Sequence, residues 1–158
     1  MLIENYYAGR MTSLYRMAQL VWLLSILVVA TSAHFVLQVP TSLGFNDALE
    51  ATAPCDGFDI GDRSKGVTDW PVNGAPVQIL TTHPDVQLEI KAALLSNTSS
   101  FKFLVPVVAQ HGVGTFCIPS VPGIADWVGQ QAVFQMIQHA PDGALYQVRA
   151  ITLPPGPS

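Results

Sequence analysis

Beyond residue 33 the sequence predicts an all-β fold, an immunoglobulin-like β-sandwich, on three observations. Seven short runs are rich in β-forming residues, Gly and Pro interrupt the intervals between them, and no stretch after Ala33 sustains a convincing amphipathic helix. A single-layer barrel is the competing all-β architecture.

In chain order the runs are HFVLQV (34–39), APVQIL (75–80), DVQLEIKA (85–92), FKFLVPVV (101–108), VGTFCI (113–118), AVFQMIQ (132–138) and ALYQVRAI (144–151). The cleanest is DVQLEIKA, where Val86, Leu88 and Ile90 alternate with Gln87, Glu89 and Lys91, the period of two of a half-buried antiparallel strand. VPTSLGF, TDWPVNGAP, IPSVPG and APDGA break the chain between runs, and Asp142-Gly143 reads as a two-residue hairpin turn. DALEATA (47–53) predicts one or two helical turns. Asn97-Thr98-Ser99 is an N-glycosylation acceptor, expected on an exposed turn. The chain contains neither an internal repeat nor a low-complexity tract.

Residues 1–33 read as a signal peptide with an odd N-terminal extension. LVWLLSILVVA (20–30) is too short an apolar core to span a bilayer, which takes about 20 residues, and suits a signal-peptide h-region. Thr31, Ser32 and Ala33 supply the small residues a signal peptidase accepts, which places the cut before His34; cleavage after Ala30 is the alternative. The acid-containing stretch MLIENYYAGRMTSLYR suggests that translation starts at Met11, with Arg16 as the positive flank, or at Met17. The expected location is therefore extracellular or at the cell surface, with no anchor signal visible in this chain.

From His34 onward the chain is of single-domain size and carries five basic against ten acidic side chains, a net charge of −5. Lacking a basic cluster, it is a poor nucleic-acid binder, because phosphates reward Lys and Arg. A cation is better tolerated than an anion. Cys55 and Cys117 are too few and too widely spaced for a zinc knuckle, so in an oxidising compartment they are disulfide candidates. Asp56, Asp59 and Asp62 lack the spacing of an EF-hand and read as a solvated loop. No Ser/His/Asp nucleophile arrangement stands out, so no catalytic residue is assigned.

Histidine carries the chemistry. Cleavage before His34 would present its α-amine and ring Nδ1 to one metal, and one further imidazole would complete a T-shaped set of three nitrogens. Cu(II) favours such tetragonal nitrogen donors and sits highest in the divalent affinity order. Among His83, His111 and His139, the best second ligand is His83, because Pro84 holds it extended just before a strand. His111 and His139 look like solvated loop residues.

HFVLQVPTSLGF, APCDGFD with Arg63, WPVNGAPVQI, THPDVQLEI, FLVPVVAQHGVGTFCIP and PDGALYQ, in that order, resemble the fungal copper-acquisition-factor family over His34 to Gln147. These are secreted or membrane-anchored proteins similar to lytic polysaccharide monooxygenases. The resemblance implies an immunoglobulin-like sandwich and a copper-binding histidine brace, with His34 and His83 as its histidines. It also implies that copper is bound for uptake or homeostasis rather than for polysaccharide oxidation. The partners it suggests are the copper ion and a cell wall or plasma-membrane copper transporter.

The end of the chain departs from the family, which has a segment like YQCAD whose aspartate is implied to be a third copper ligand. This chain reads YQVRAITLPPGPS, with Val148 for the cysteine and Ala150 for the aspartate. Val-Arg can be encoded GTRAGR, the start of an intron donor, so 148–158 is expected to be an atypical tail of translated intron, and its Pro-rich ending PPGPS suits readthrough better than a packed strand. On the same resemblance, Cys55 and Cys117 have either each lost a partner or come to pair with each other. Two other functions compete with the copper carrier: a polysaccharide-oxidising copper monooxygenase, for which Trp70, Trp127, Phe134 and Tyr146 are the aromatics one could enlist, and a metal-free cell-wall structural domain.

Overall fold

The computed structural model describes residues 34–141 and 143–155, and the leader expected over 1–33 lies outside the described residues. Nine strands form two sheets, with three short 3₁₀ turns and no α-helix among the described residues. In the smaller sheet, β3 (Ala75–Thr81) lies between β1 (Phe35–Val39) and β7 (Gly114–Val121). The larger sheet runs in the order β2 (Thr68–Asp69), β9 (Gly143–Thr152), β8 (Gln131–Ala140), β4 (Asp85–Leu94) and β5 (Lys102–Phe103). The sixth strand of that sheet, β6 (Val108–His111), pairs with β4 beyond the end of β5. All pairings are antiparallel except β2 with β9. The architecture is the all-β, immunoglobulin-like sandwich that the alternating runs predict.

The main core follows from that alternation. Phe35, Leu37, Val77 and Ile79 of the small sheet face Val86, Leu88, Ile90, Phe134, Met136 and Ile151 of the large one. Trp70 stacks on Phe134 with ring centroids 4.9 Å apart at a tilt of 41°. Near-complete burial of these side chains is the main stabilising term, at about 25 cal/mol per Å² of apolar surface removed from water.

A second, smaller core covers the outer face of the large sheet. The chain between β1 and β2 crosses that face and lays Leu43 and Cys55, with Phe58 and Ile60 beside them, against Ala93, Val133, Val148 and Ala150. Its backbone is tied to the edge of β9, where the Leu43 N–H donates to the Val148 carbonyl at 2.9 Å and the Tyr146 N–H to the Glu50 carbonyl at 2.8 Å. DALEATA turns as expected, in a 3₁₀ turn at Asp47–Leu49.

Two expectations differ from the structure. FKFLVPVV is two strands, β5 and β6, because Pro106 has no N–H to give a ladder. Residues 148–152 are the second half of β9, in keeping with the ALYQVRAI run, and Val148, Ala150, Ile151 and Leu153 are buried in the sandwich. The β8–β9 hairpin pairs Ala140 with Gly143, so its connecting residues are 141 and 142, of which Asp142 lies outside the described residues.

Because Phe134 is fully buried against Trp70, Phe134→Ala is expected to lower unfolding stability by about 3–5 kcal/mol. Urea melts of the two proteins measure this, and a loss below about 1 kcal/mol would contradict the assigned core.

Candidate metal centre

The pairing of β1 with β3 sets Phe35 opposite Thr81, Val36 opposite Leu80 and Leu37 opposite Ile79. One step further out His34 meets Thr82. The Thr82 N–H donates to the His34 carbonyl at 3.0 Å. The Thr82 hydroxyl donates to the same carbonyl at 3.1 Å and accepts the His34 backbone N–H at 2.8 Å. His83 is the next residue. The two histidines chosen from sequence are thus brought to neighbouring positions at one end of the sandwich by an ordinary antiparallel ladder.

His83 is 4% exposed and held on several sides. Its N–H donates to the Thr81 hydroxyl at 3.1 Å, and its carbonyl accepts from Gln110 Nε2 at 3.2 Å. Its Nδ1 lies 2.8 Å from Gln138 Oε1, while Gln138 Nε2 donates to Thr81 Oγ1 at 2.9 Å. An amide oxygen only accepts, so Nδ1 carries a proton, and a metal on this ring would be taken at Nε2. Such a partner on the far nitrogen fixes the tautomer and ring orientation of a metal ligand.

The His34 ring sits between two carboxylates. Nδ1 is 2.9 Å from Glu50 Oε2, Nε2 is 2.9 Å from Asp47 Oδ1, and Phe45 meets the ring edge-on at 5.8 Å between centroids. Glu50 is 1% exposed, and its other oxygen accepts the Phe35 N–H at 3.2 Å. Burial pushes the Glu50 carboxyl above its ordinary range, against the lowering pull of the Phe35 N–H and of His34. With Nε2–H given to Asp47, the contact between Nδ1 and Glu50 needs one proton held between them. A metal at Nδ1 would take the place of that proton.

Among the described residues no three His, Cys, Asp or Glu side chains converge as a ready metal-binding group. The donor types still suit copper as cargo: two histidines at neighbouring positions of the strand register, one held at Nδ1 by Gln138, and a backbone nitrogen at His34 that would be an amine in a chain cut before it. Ala150, which stands where the resemblance has an acidic ligand, is buried in the outer core beside Val148 and supplies no oxygen to this end. Glu50 and Asp47, the carboxylates that do reach His34, escaped sequence reasoning, because only the fold carries the loop back over the chain start.

The other two histidines are strand residues rather than loop residues. His111 ends β6 with Nδ1 2.7 Å from Asp85 Oδ1, and His139 of β8 places Nε2 3.0 Å from Glu89 Oε1. Both point out of the large sheet and border a shallow cleft with Asp85 and Gln87. Of the enlisted aromatics, Trp70 and Phe134 are fully buried, Trp127 shows only an edge, and Tyr146 is half-buried, so none of the four presents an open ring face.

Cys55 and Cys117 do not form the expected bridge; both are free thiols. Cys55 packs in the outer core of the large sheet beside Val148, and burial pushes its thiol up to about 12, with Asp59 adding to the effect. Cys117 lies on β7 on the outward face of the small sheet, its Sγ 3.7 Å from Gln78 Oε1. The sandwich separates them, well beyond the reach of a disulfide. Asn97 is exposed, as its acceptor role requires.

Asp56 corrects the reading of its loop as solvated. It is 1% exposed, neither carboxylate oxygen has a hydrogen-bond partner, and its backbone is left-handed at φ 56°.

The copper acquisition factor BIM1-like domain matches this chain over residues 32–157, and the chain belongs to that family. A lytic polysaccharide monooxygenase-like protein, X325, of Yarrowia lipolytica is 30% identical over 138 residues, 78% of this chain and 50% of its own length. An uncharacterised protein of Aspergillus fumigatus is 33% identical over 126 residues, 73% of this chain and 51% of its own. The chain thus spans about half the length of these curated relatives, and its family ties it to copper.

Burial raises the Asp56 carboxyl from 3.8 to about 6, against a smaller lowering by the Asn46 backbone. A carboxyl raised on folding adds stability below its unfolded value, and that contribution is lost as pH rises through the folded one. Asp56→Asn, which tolerates the left-handed backbone, should therefore gain stability relative to the parent as pH rises from about 4 to above 6. Melting curves across that range test it, and a pH-independent difference would contradict it.

Proposed function

We propose that this protein is a secreted or cell-surface copper binder serving copper uptake or homeostasis, and that it takes Cu(II) through a histidine brace without catalysing a reaction. The α-amine and Nδ1 of His34 and Nε2 of His83 are the three nitrogens. The observation that carries the reading is the β1–β3 register, which sets the residue after the expected cleavage point beside His83. Family membership supports copper as the metal. Burial of Trp70, Trp127 and Phe134 takes three of the four enlisted aromatics away from a flat substrate, which favours a carrier over a polysaccharide oxidase. The natural partners are the copper ion and a cell wall or plasma-membrane copper transporter.

Residue by residue, signal cleavage creates the amine, and Thr82 positions it. Gln138 holds the His83 ring by Nδ1, so that copper would bind at Nε2. Glu50 and Asp47 would lend negative charge to a site that receives a cation, once the proton held between Glu50 and Nδ1 is released. Because the amine, with a solution pKa of roughly 8, must lose its proton, affinity falls with acidity.

Cu(II) titration of protein beginning at His34, beside the same protein with one extra alanine in front, tests this directly. Tight one-to-one binding that the extra residue abolishes is expected, and equal binding by both proteins would remove the His34 amine from the site. Copper-loaded protein given a reductant should produce neither sustained hydrogen peroxide nor oxidised oligosaccharides, and their appearance would select the oxidase. Gln138→Leu, which leaves the His83 ring without its acceptor, should weaken copper binding about 10- to 100-fold; unchanged affinity would remove Gln138 from the account.

A further inference from the structure

At the far end of β4 from His83 the chain turns through Leu95–Asn97 and returns as β5. Asn97 is exposed there, and the Ser99 hydroxyl donates to its Oδ1 at 2.9 Å. Asn97 also forms part of the wall of a cleft of about 140 Å³, with Leu94, Ser100, Lys102 and Trp127. Trp127 arrives from the 3₁₀ turn ahead of β8, and the Lys102 ammonium lies 5.4 Å from its ring centroid.

The cleft is well below the roughly 300–1,000 Å³ of sites that capture free small ligands. A tethered ligand is a different case. Covalent attachment at the rim holds a group at an effective concentration in the millimolar range, so that a contact too weak to capture a free molecule is still occupied. Leu94 and the Trp127 edge offer an apolar floor, and Ser100 and Lys102 offer polar groups beside it. A pyranose bearing an acetamide has the matching surface, an apolar ring face and methyl group with hydroxyls and an amide at the rim.

We propose that Asn97 carries an N-linked glycan whose first N-acetylglucosamine seats in this cleft and pins the β4–β5 turn to the Trp127 segment. In the attachment, the Asn97 amide nitrogen forms the bond to the anomeric carbon of a lipid-pyrophosphate-linked oligosaccharide. The lipid pyrophosphate leaves with the electrons of the bond that breaks, and the nitrogen loses a proton. Nothing is oxidised or reduced. The seating rests on passage through a secretory pathway, as in the reading above.

The test uses the full chain produced in a eukaryotic secretory host and trimmed with an endoglycosidase that leaves one sugar on the asparagine. Intact mass and peptide mapping read attachment at Asn97. The single-sugar protein should melt at least about 2 °C above Asn97→Gln, and Ser100→Ala or Lys102→Ala should shrink that difference. The acetyl methyl proton resonance should move from its free-sugar position through the Trp127 ring current. Equal melting temperatures with the methyl at its free position would overturn the seating and leave secretion standing. A secreted chain cut before His34 with Asn97 bare would overturn the modification alone. An unsecreted, unmodified chain would overturn both readings.

Discussion

The candidate site depends on one ladder, the antiparallel pairing of β1 with β3. It holds Phe35 and Leu37 in the core, continues past Thr81 to join His34 to Thr82 through three hydrogen bonds, and so fixes the chain around residue 34 beside His83. A slip of one residue would turn Phe35 and Leu37 out of the core, so the hydrophobic pattern and the position of His34 are specified together. The burial that stabilises the sandwich is thereby the same burial that positions the site.

The loop from β1 to β2 does two jobs with one excursion. Its apolar residues Leu43 and Cys55 seal the outer face of the large sheet, and its acids Asp47 and Glu50 reach the His34 ring. Glu50 is central to this arrangement, because its oxygens take the Phe35 N–H and face Nδ1 while its backbone carbonyl takes the Tyr146 N–H. It therefore links the first strand, the last strand and the candidate ligand. Asp56, buried nearby without a partner, is a destabilising group within the same loop. Low-dielectric surroundings enlarge every charge change in such a place.

The strands were legible because alternation is a local signal, and DVQLEIKA shows it within eight residues. His34 and His83 stood out as candidates on equally local signals, one after the expected cut and the other before Pro84. What stayed hidden was non-local. Nothing near Glu50 in sequence says that it faces His34, and nothing near Gln138 says that it faces His83, since those contacts span 16 and 55 positions. The two-residue strand β2 is too short to show a period. At the end of the chain, Val148 and Ala150 are small apolar side chains that suit the outer core beside Cys55, a contact their own neighbours in sequence do not announce. Cys55 packs beside Val148 as a free thiol, apart from Cys117 on the small sheet.

The central claim is that three nitrogens from His34 and His83 share one copper ion. Electron paramagnetic resonance of Cu(II)-loaded protein cut before His34, with ¹⁵N in histidine alone, measures this most directly. The account predicts superhyperfine splitting from three nitrogens, all of them histidine nitrogens and so all shifted by the label, with one of the three lost in His83→Ala. A spectrum showing one coupled nitrogen, or one that His83→Ala leaves unchanged, would contradict it.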